Sequence, residues 1–216
     1  MKKTKLFIAV PTYETVAPEC FEAIFNLVNQ WDVNMTFKSV KGYDCARARN
    51  EIVKKFLESD CEWLWMIDSD TILPVEYLNM APNFIDWLVT QRKAIVLGWY
   101  PRKADPGRTE IFMEGYNGYP AAGRWNCSEL AQRINDNFIP IKGGGFGCAI
   151  MHREVLEALE YPYFKYNTND DGSFLSEDLY FCNKAREAGY QIWTMPALGC
   201  DHVGSKIVKA YKMISG

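Results

Sequence analysis

The strongest constraint in this sequence is an alternation: apolar runs and amphipathic stretches take turns through the first hundred residues. Residues 6–10, 35–40, 63–67 and 94–99 read as strands, the third being the unbroken Trp63-Leu64-Trp65-Met66-Ile67. Residues 17–30 carry Phe21, Ile24, Phe25, Leu27 and Val28 at helical spacing, and residues 46–57 carry Ile52, Val53, Phe56 and Leu57 likewise. Residues 74–91 continue as a helix broken near Pro82. Such alternation specifies an α/β architecture, a mostly parallel central sheet with helices on both faces. Ligands bind such sheets beyond the carboxyl ends of the strands. Pro11-Thr12-Tyr13, Tyr43-Asp44, Asp68-Ser69-Asp70 and Tyr100-Pro101-Arg102 each follow a strand, and are expected to line one crevice.

The second half is less regular. Residues 101–137 are rich in Gly, Pro, Asn and Asp and read as a long irregular stretch, which in a compact domain is usually functional. Residues 138–142 and 148–152 read as strands flanking Gly143-Gly144-Gly145-Phe146-Gly147. A short helix over 153–159 and a polar loop over 166–173 follow. Ser176 is placed to cap a helix from Glu177 to Ala188, ended by Gly189. Residues 191–194 read as a last strand, with Asp201-His202 in a polar loop after it.

With 216 residues, 48% of them hydrophobic and 24% charged, the chain has the size and balance of one globular domain. Disorder, collagen-like repeats and a disulfide-framed mini-protein are excluded. A net charge of −3 supplies no global positive field toward nucleic acid or anionic membrane. The seven cysteines are scattered without a CxxC pair, the pattern of free, buried thiols in a reducing compartment. No apolar run reaches about 18 residues, and residues 6–10 are too short for a signal-peptide core. The expectation is a cytoplasmic protein with no membrane span.

Several groups could carry chemistry. A bare DxD such as Asp68/Asp70 arises by chance on the order of 0.7 times in a chain of this composition. Its setting carries more, because a buried strand delivers both carboxylates to the sheet edge, where they suit a hard divalent cation that bridges phosphates. A solvated Asx turn would use the same residues. His202, one of 2 histidines, is by type more often structural than a ligand, yet beside carboxylates it would favour Mn²⁺ over Mg²⁺. His152 reads as structural. Glu177-Asp178 opens a helix, where acids complement the dipole or act as a general base. The glycine-rich turn has neither P-loop nor GxGxxG spacing and reads as a close backbone approach to a ligand, or a gate. Arg47 and Arg49 fit either ion pairs with acids or a diphosphate contact, and Tyr13 and Tyr100 fit either base stacking or half-buried packing.

Taken in order, Val10-Pro11-Thr12-Tyr13, Ala48-Arg49-Asn50 and Trp65-Met66-Ile67-Asp68-Ser69-Asp70 open a recognisable series. It continues through residues 145–155, Ser176-Glu177-Asp178-Leu179-Tyr180-Phe181 and Asp201-His202-Val203-Gly204. The series resembles the metal-dependent glycosyltransferases of GT-A fold, especially the family-2-like group of bacteria and phages. The resemblance spans nearly the whole chain except residues 101–137, and its specificity lies in the order of the motifs.

The resemblance implies a single GT-A domain over residues 1–216, a Rossmann-like three-layer α/β/α sandwich. Residues 1–100 would form its nucleotide-binding half and 101–216 its acceptor and catalytic half. The implied activity is that of an inverting hexosyltransferase acting on a nucleotide-diphosphate sugar, a UDP-sugar by the family's habit, with Mn²⁺ or Mg²⁺. Pro11, Thr12 and Tyr13 would hold base and ribose, with Asp44 and Arg49 near the uridine-like portion. Asp70 and His202 would ligate the metal, and Asp68 would contact the ribose or the metal through water. Asp178, beside Glu177, would be the catalytic base. The turn containing Gly144 and Gly145 would face donor and acceptor, and residues 101–137 would shape the acceptor side. The acceptor could be a glycan, a protein, a small molecule or, for a phage gene, a modified DNA base. A sugar-1-phosphate nucleotidyltransferase is the first rival, but it would carry a glycine-rich basic loop where this chain has Pro11-Thr12-Tyr13-Glu14. A non-catalytic nucleotide-sugar or glycan-binding protein, the second, would be expected to have lost some of Asp68, Asp70, Asp178 and His202.

Overall fold

The computed structural model describes residues 4–31, 34–41, 44–79, 84–113, 123–168, 172 and 174–210. Tyr43 and the expected break near Pro82 lie outside them. The chain opens with β1 (Lys5–Thr12), α1 (Pro18–Gln30), β2 (Asn34–Lys41) and α2 (Cys45–Glu58). Next come β3 (Trp63–Ile67), β4 (Thr71–Ile72), α3 (Val75–Asn79), α4 (Phe84–Thr90) and β5 (Ile95–Trp99). The second half supplies β6 (Arg108–Met113), β7 (Arg124–Asn126), α5 (Cys127–Gln132), β8 (Ile139–Gly144), β9 (Cys148–His152) and α6 (Arg153–Ala158). It continues with β10 (Asn167–Thr168), β11 (Phe174–Leu175), α7 (Glu177–Glu187), β12 (Ile192–Gly199), β13 (Asp201–Val203) and β14 (Ile207–Val208).

Nine strands form one sheet of order β2-β1-β3-β9-β5-β12-β8-β6-β7. Strands β2, β1, β3, β5, β12 and β6 share one direction, and β9, β8 and β7 run against them. Six of the sheet's nine strands thus run one way, as expected, while three of the eight neighbouring pairs are parallel and five antiparallel. Its strands alternate between two cores because side chains along a strand point to opposite faces. Phe7, Ala9, Leu64, Met66, Leu97 and Ala149 join residues of α2, α5, α6 and α7 on one face. Leu6, Ile8, Val10, Trp65, Ile67 and Ile150 join α1, α3 and α4 on the other. Both faces are therefore apolar, the signature of a covered α/β sheet.

Three expectations change, and the sheet order separates the two strands that flank the glycine turn. Phe21 and Phe25 do not face the core: α1 buries Cys20, Ala23, Ile24 and Leu27, which leaves the two rings exposed and stacked 6.1 Å apart. Residues 101–137 are not wholly irregular, because they supply β6, β7 and α5. The strands flanking the glycine turn are not neighbours, since β12 and β5 separate β8 from β9. Asp201-His202 is no loop but β13, paired antiparallel with β4. Strands of two or three residues are too short to show a period, which is why they escape a sequence reading. The cysteines are free and all but Cys45 are buried. Among the described residues, no helix is long and apolar enough to cross a membrane.

Candidate active site

The DxD turn is held from three sides at the carboxyl end of β3. The Asp68 amide donates to Gly147 O at 3.0 Å, and the Ala17 amide donates to Ser69 O at 2.8 Å. The Val203 amide donates to Asp70 O at 2.8 Å, while β4 sets Thr71 opposite His202. The triplet thereby meets the β1–α1 connection, the glycine turn and β13.

Beneath it lies a buried charge cluster. Arg49, only 2% exposed, reaches from the first turn of α2 and forks onto Asp68, with Nη1–Oδ1 at 3.0 Å and Nη2–Oδ2 at 3.2 Å. Its Nε lies 3.0 Å from Asp178 Oδ1, an ion pair whose angle falls outside hydrogen-bond geometry, and 3.9 Å from Glu177 Oε1. The Phe146 amide donates to Asp178 Oδ2 at 3.1 Å, and the Phe146 ring packs 5.7 Å from the guanidinium. Ser176 caps α7 by accepting from the Leu179 amide, as expected, and so delivers Glu177 and Asp178 to this place. One buried cation faces three carboxylates. Burial pushes Asp178 up to about 7, with Glu177 and Asp68 adding to the rise and Arg49 and the Phe146 amide opposing it. Burial also raises Glu177 against the pull of Arg49. A half-buried carboxyl tuned to neutrality has the property a general base needs.

Three of the expected site residues make contacts within the chain. Arg49 takes the ion-pair alternative, as a buried counter-ion rather than a surface one. Both oxygens of Asp68 accept from that arginine. Asp44 caps α2, its Oδ1 accepting from the Arg47 amide at 2.9 Å.

Asp70 and His202 meet at the surface. His202 Nδ1 donates to Pro101 O at 2.8 Å, since a carbonyl can only accept, and this turns Nε2 toward Asp70 Oδ1, 3.7 Å away. Lys103 Nζ sits 2.5 Å from Asp70 Oδ2. Burial works to raise the Asp70 carboxyl, but His202 and Lys103 outweigh it and hold it at about 2. An ionised carboxylate beside an oriented imidazole nitrogen fits Mn²⁺. Among the described residues, no group of 3 or more His, Cys, Asp or Glu converges on a metal position. Phosphate oxygens and water would fill the other positions, the usual arrangement for Mg²⁺ and Mn²⁺.

The glycine turn is buried against the protein itself. A Cβ on Gly147 would lie 2.6 Å from Tyr100 Cε1 and 2.9 Å from Thr71 Oγ1, and one on Gly144 would lie 2.7 Å from Ile111 Cδ1. One on Gly145 would strike the Tyr100 hydroxyl. These glycines therefore let Tyr100 lie flat on the turn, where its hydroxyl accepts from the Gly147 amide at 3.2 Å and its ring meets His202 edge-on at 5.0 Å. Tyr100 is thus buried and cannot stack on a base, whereas Tyr13 is 74% exposed. Pro11 and Thr12 end β1 as buried residues, with the Thr12 hydroxyl donating to Thr15 O. His152 caps α6 and packs edge-on to Trp63, the structural part expected of it.

Lys103 and Glu110 were not read from sequence, and Asn50 was read only as part of the Ala48-Arg49-Asn50 motif, without a role of its own. Lys103 carries no motif beyond its place just after β5. Asn50 donates to Ala46 O and Phe164 O and accepts from the Tyr163 and Phe164 amides, pinning that segment to α2. An asparagine inside a helix is a weak sequence signal for such a tertiary task. Glu110 joins Arg102 at 2.5 Å and Arg124 at 3.1 Å across the irregular half.

No protein-family model matches the chain, and no curated protein matches it. Solved structures do match. A197 from STIV superposes with a TM-score of 0.63 at 18% identity, covering 95% of this chain and 93% of that one. The mannosyltransferase PcManGT from Pyrobaculum calidifontis, in complex with GDP-Man and Mn²⁺, superposes with a TM-score of 0.53 at 16% identity. That match covers 93% of this chain, which spans 56% of the mannosyltransferase. At such identities the likeness concerns the backbone: the chain has a GT-A-like glycosyltransferase fold.

Proposed function

We propose that this protein is an inverting glycosyltransferase that moves a sugar from a nucleotide-diphosphate sugar to an acceptor hydroxyl, with a divalent metal. The observation that carries the reading is the pairing of two unlike carboxylates at one sheet edge. Asp178 is half-buried and pushed up to about 7, while Asp70 is held at about 2 beside the oriented His202. One is suited to take a proton, the other to hold a cation.

Held by Asp70 and His202, Mn²⁺ or Mg²⁺ would supply positive charge against the departing diphosphate. Asp178 takes the acceptor hydroxyl's proton as that oxygen attacks the anomeric carbon. The bond from that carbon to the diphosphate oxygen breaks on the opposite face, and the configuration inverts. Arg49 keeps its charge throughout and fixes Asp178 relative to Asp68. Tyr13, with Pro11, Thr12 and Asp44, lies at the edge proposed for base and ribose. On the acceptor side, the exposed Phe174, stacked 5.7 Å from Tyr166 on the hairpin that leads into Ser176, offers a ring face to a sugar. PcManGT binds GDP-Man and Mn²⁺, so GDP-mannose stands beside UDP-sugars as a donor to try. The buried free thiols fit a cytoplasmic setting.

The test is a donor panel of UDP-glucose, UDP-N-acetylglucosamine and GDP-mannose, each with Mn²⁺ or EDTA, followed by chromatography of the nucleotide. Release of UDP or GDP from one donor, and only with metal, is expected. A nucleoside triphosphate formed from donor plus pyrophosphate would mark nucleotidyl transfer instead.

A further inference from the structure

The connection after β5 serves the candidate metal site twice. Pro101 O accepts from His202 Nδ1 and orients the ring, and two residues later Lys103 Nζ lies 2.5 Å from Asp70 Oδ2. An ammonium and a divalent cation seek the same carboxylate and repel each other at contact distance, so they compete for the position. The geometry points to Lys103 as a displaceable counter-ion, which covers Asp70 until a divalent metal enters and then turns its ammonium to the donor's diphosphate. This inference rests on the metal-site reading proposed above.

Three observations support the exchange. Lysine holds a carboxylate as a point charge on a flexible stem, without the two-bond fork of an arginine. The Lys103 side chain is 42% exposed, so its head can swing without opening the core. Its stem lies against the turn after β13: a Cβ on Gly204 would meet Lys103 Cδ at 3.5 Å. That same turn is tied to Asp70 through the Val203 amide. The stem thus keeps its seat while the charged end changes partner. No covalent bond is involved: the metal's charge replaces the ammonium on Asp70, and the ammonium meets the negative phosphates.

The experiment measures Mn²⁺ binding to the nucleotide-free full chain by calorimetry or electron paramagnetic resonance, for wild type, Lys103→Met, Lys103→Arg and Asp70→Ala. Lys103→Met is expected to bind Mn²⁺ about fivefold more tightly, the scale of a half-exposed ion pair removed. At saturating Mn²⁺ it should bind GDP or UDP more weakly than wild type. Lys103→Arg should bind Mn²⁺ more weakly than wild type, because a guanidinium fork holds the carboxylate harder. Equal Mn²⁺ affinity in wild type and both lysine variants, with binding lost in Asp70→Ala, overturns the exchange and leaves the metal site standing. Mn²⁺ binding to none of the proteins, or binding untouched by Asp70→Ala, overturns the metal site and the exchange with it.

Discussion

Asp68 and Asp70 stand two residues apart, and their surroundings differ in kind. Asp68 is forked by a guanidinium that is 2% exposed and also engages Asp178. Asp70 meets an ammonium that is 42% exposed and pairs with no other carboxylate among the described residues. A buried cation shared by several acids cannot leave without stranding them, whereas a half-exposed one can leave at little cost. The triplet therefore has one carboxylate built into the scaffold and one left for exchange. Only the second suits a ligand that comes and goes.

Substitutions can break this contrast. The largest effect belongs to Asp178, the proposed base at the far end of the cluster. Asp178→Asn should lower transfer by roughly 10²–10⁴-fold while donor binding is kept, read by steady-state kinetics beside nucleotide calorimetry. Near-normal turnover would move the role to Glu177. Arg49→Met should cost about 3–5 kcal/mol in urea unfolding at neutral pH, because three acids lose their cation. Lys103→Met should stay within about 1 kcal/mol of wild type in the same assay. Equal losses in the two variants would erase the contrast between scaffold and exchange.

A smaller effect sharpens the picture through pH. The folded-state pKa of Asp178 is raised to about 7, so its contribution to stability is full below about pH 4 and is lost as pH rises through 7. Asp70, held at about 2, behaves oppositely: its contribution is present above about pH 4 and is lost as pH falls toward 2. Unfolding titrations should therefore show Asp178→Asn gaining on wild type as pH rises from 4 to 8. Asp70→Asn should gain on wild type as pH falls from 4 to 2. Parallel curves in both cases would mean that neither carboxyl is perturbed.

Much of this was legible in the sequence, for identifiable reasons. Trp63–Ile67 gave its strand away because every one of its side chains is buried, and the triplet after it marked the sheet edge. Ser176 and Gly189 marked the ends of α7 through capping chemistry, and Gly189 takes a φ of +89°. The antiparallel β9 between β3 and β5 was hidden because an apolar run has length but no direction. Tyr100 followed a strand and looked available for stacking, yet Gly145 and Gly147 exist to bury it. Arg49 was visible as a charged residue beside the crevice, but its partners lie 19 and 129 positions away in sequence, at Asp68 and Asp178. Local patterning does not encode pairings of that range. Lys103 had no pattern at all, and only the distance to Asp70 reveals it.

The central claim is that Asp70 and His202 hold the metal through which a nucleotide donor binds. The most direct measurement is the melting temperature of wild type and Asp70→Ala with UDP, GDP, CDP, ADP and dTDP, each with and without Mn²⁺. A ligand at 100 times its dissociation constant adds about 2.7 kcal/mol, enough to read as a shift. A rise with one nucleoside diphosphate, dependent on Mn²⁺ and absent in Asp70→Ala, is expected. A rise that is the same without Mn²⁺, or the same in Asp70→Ala, would contradict the claim.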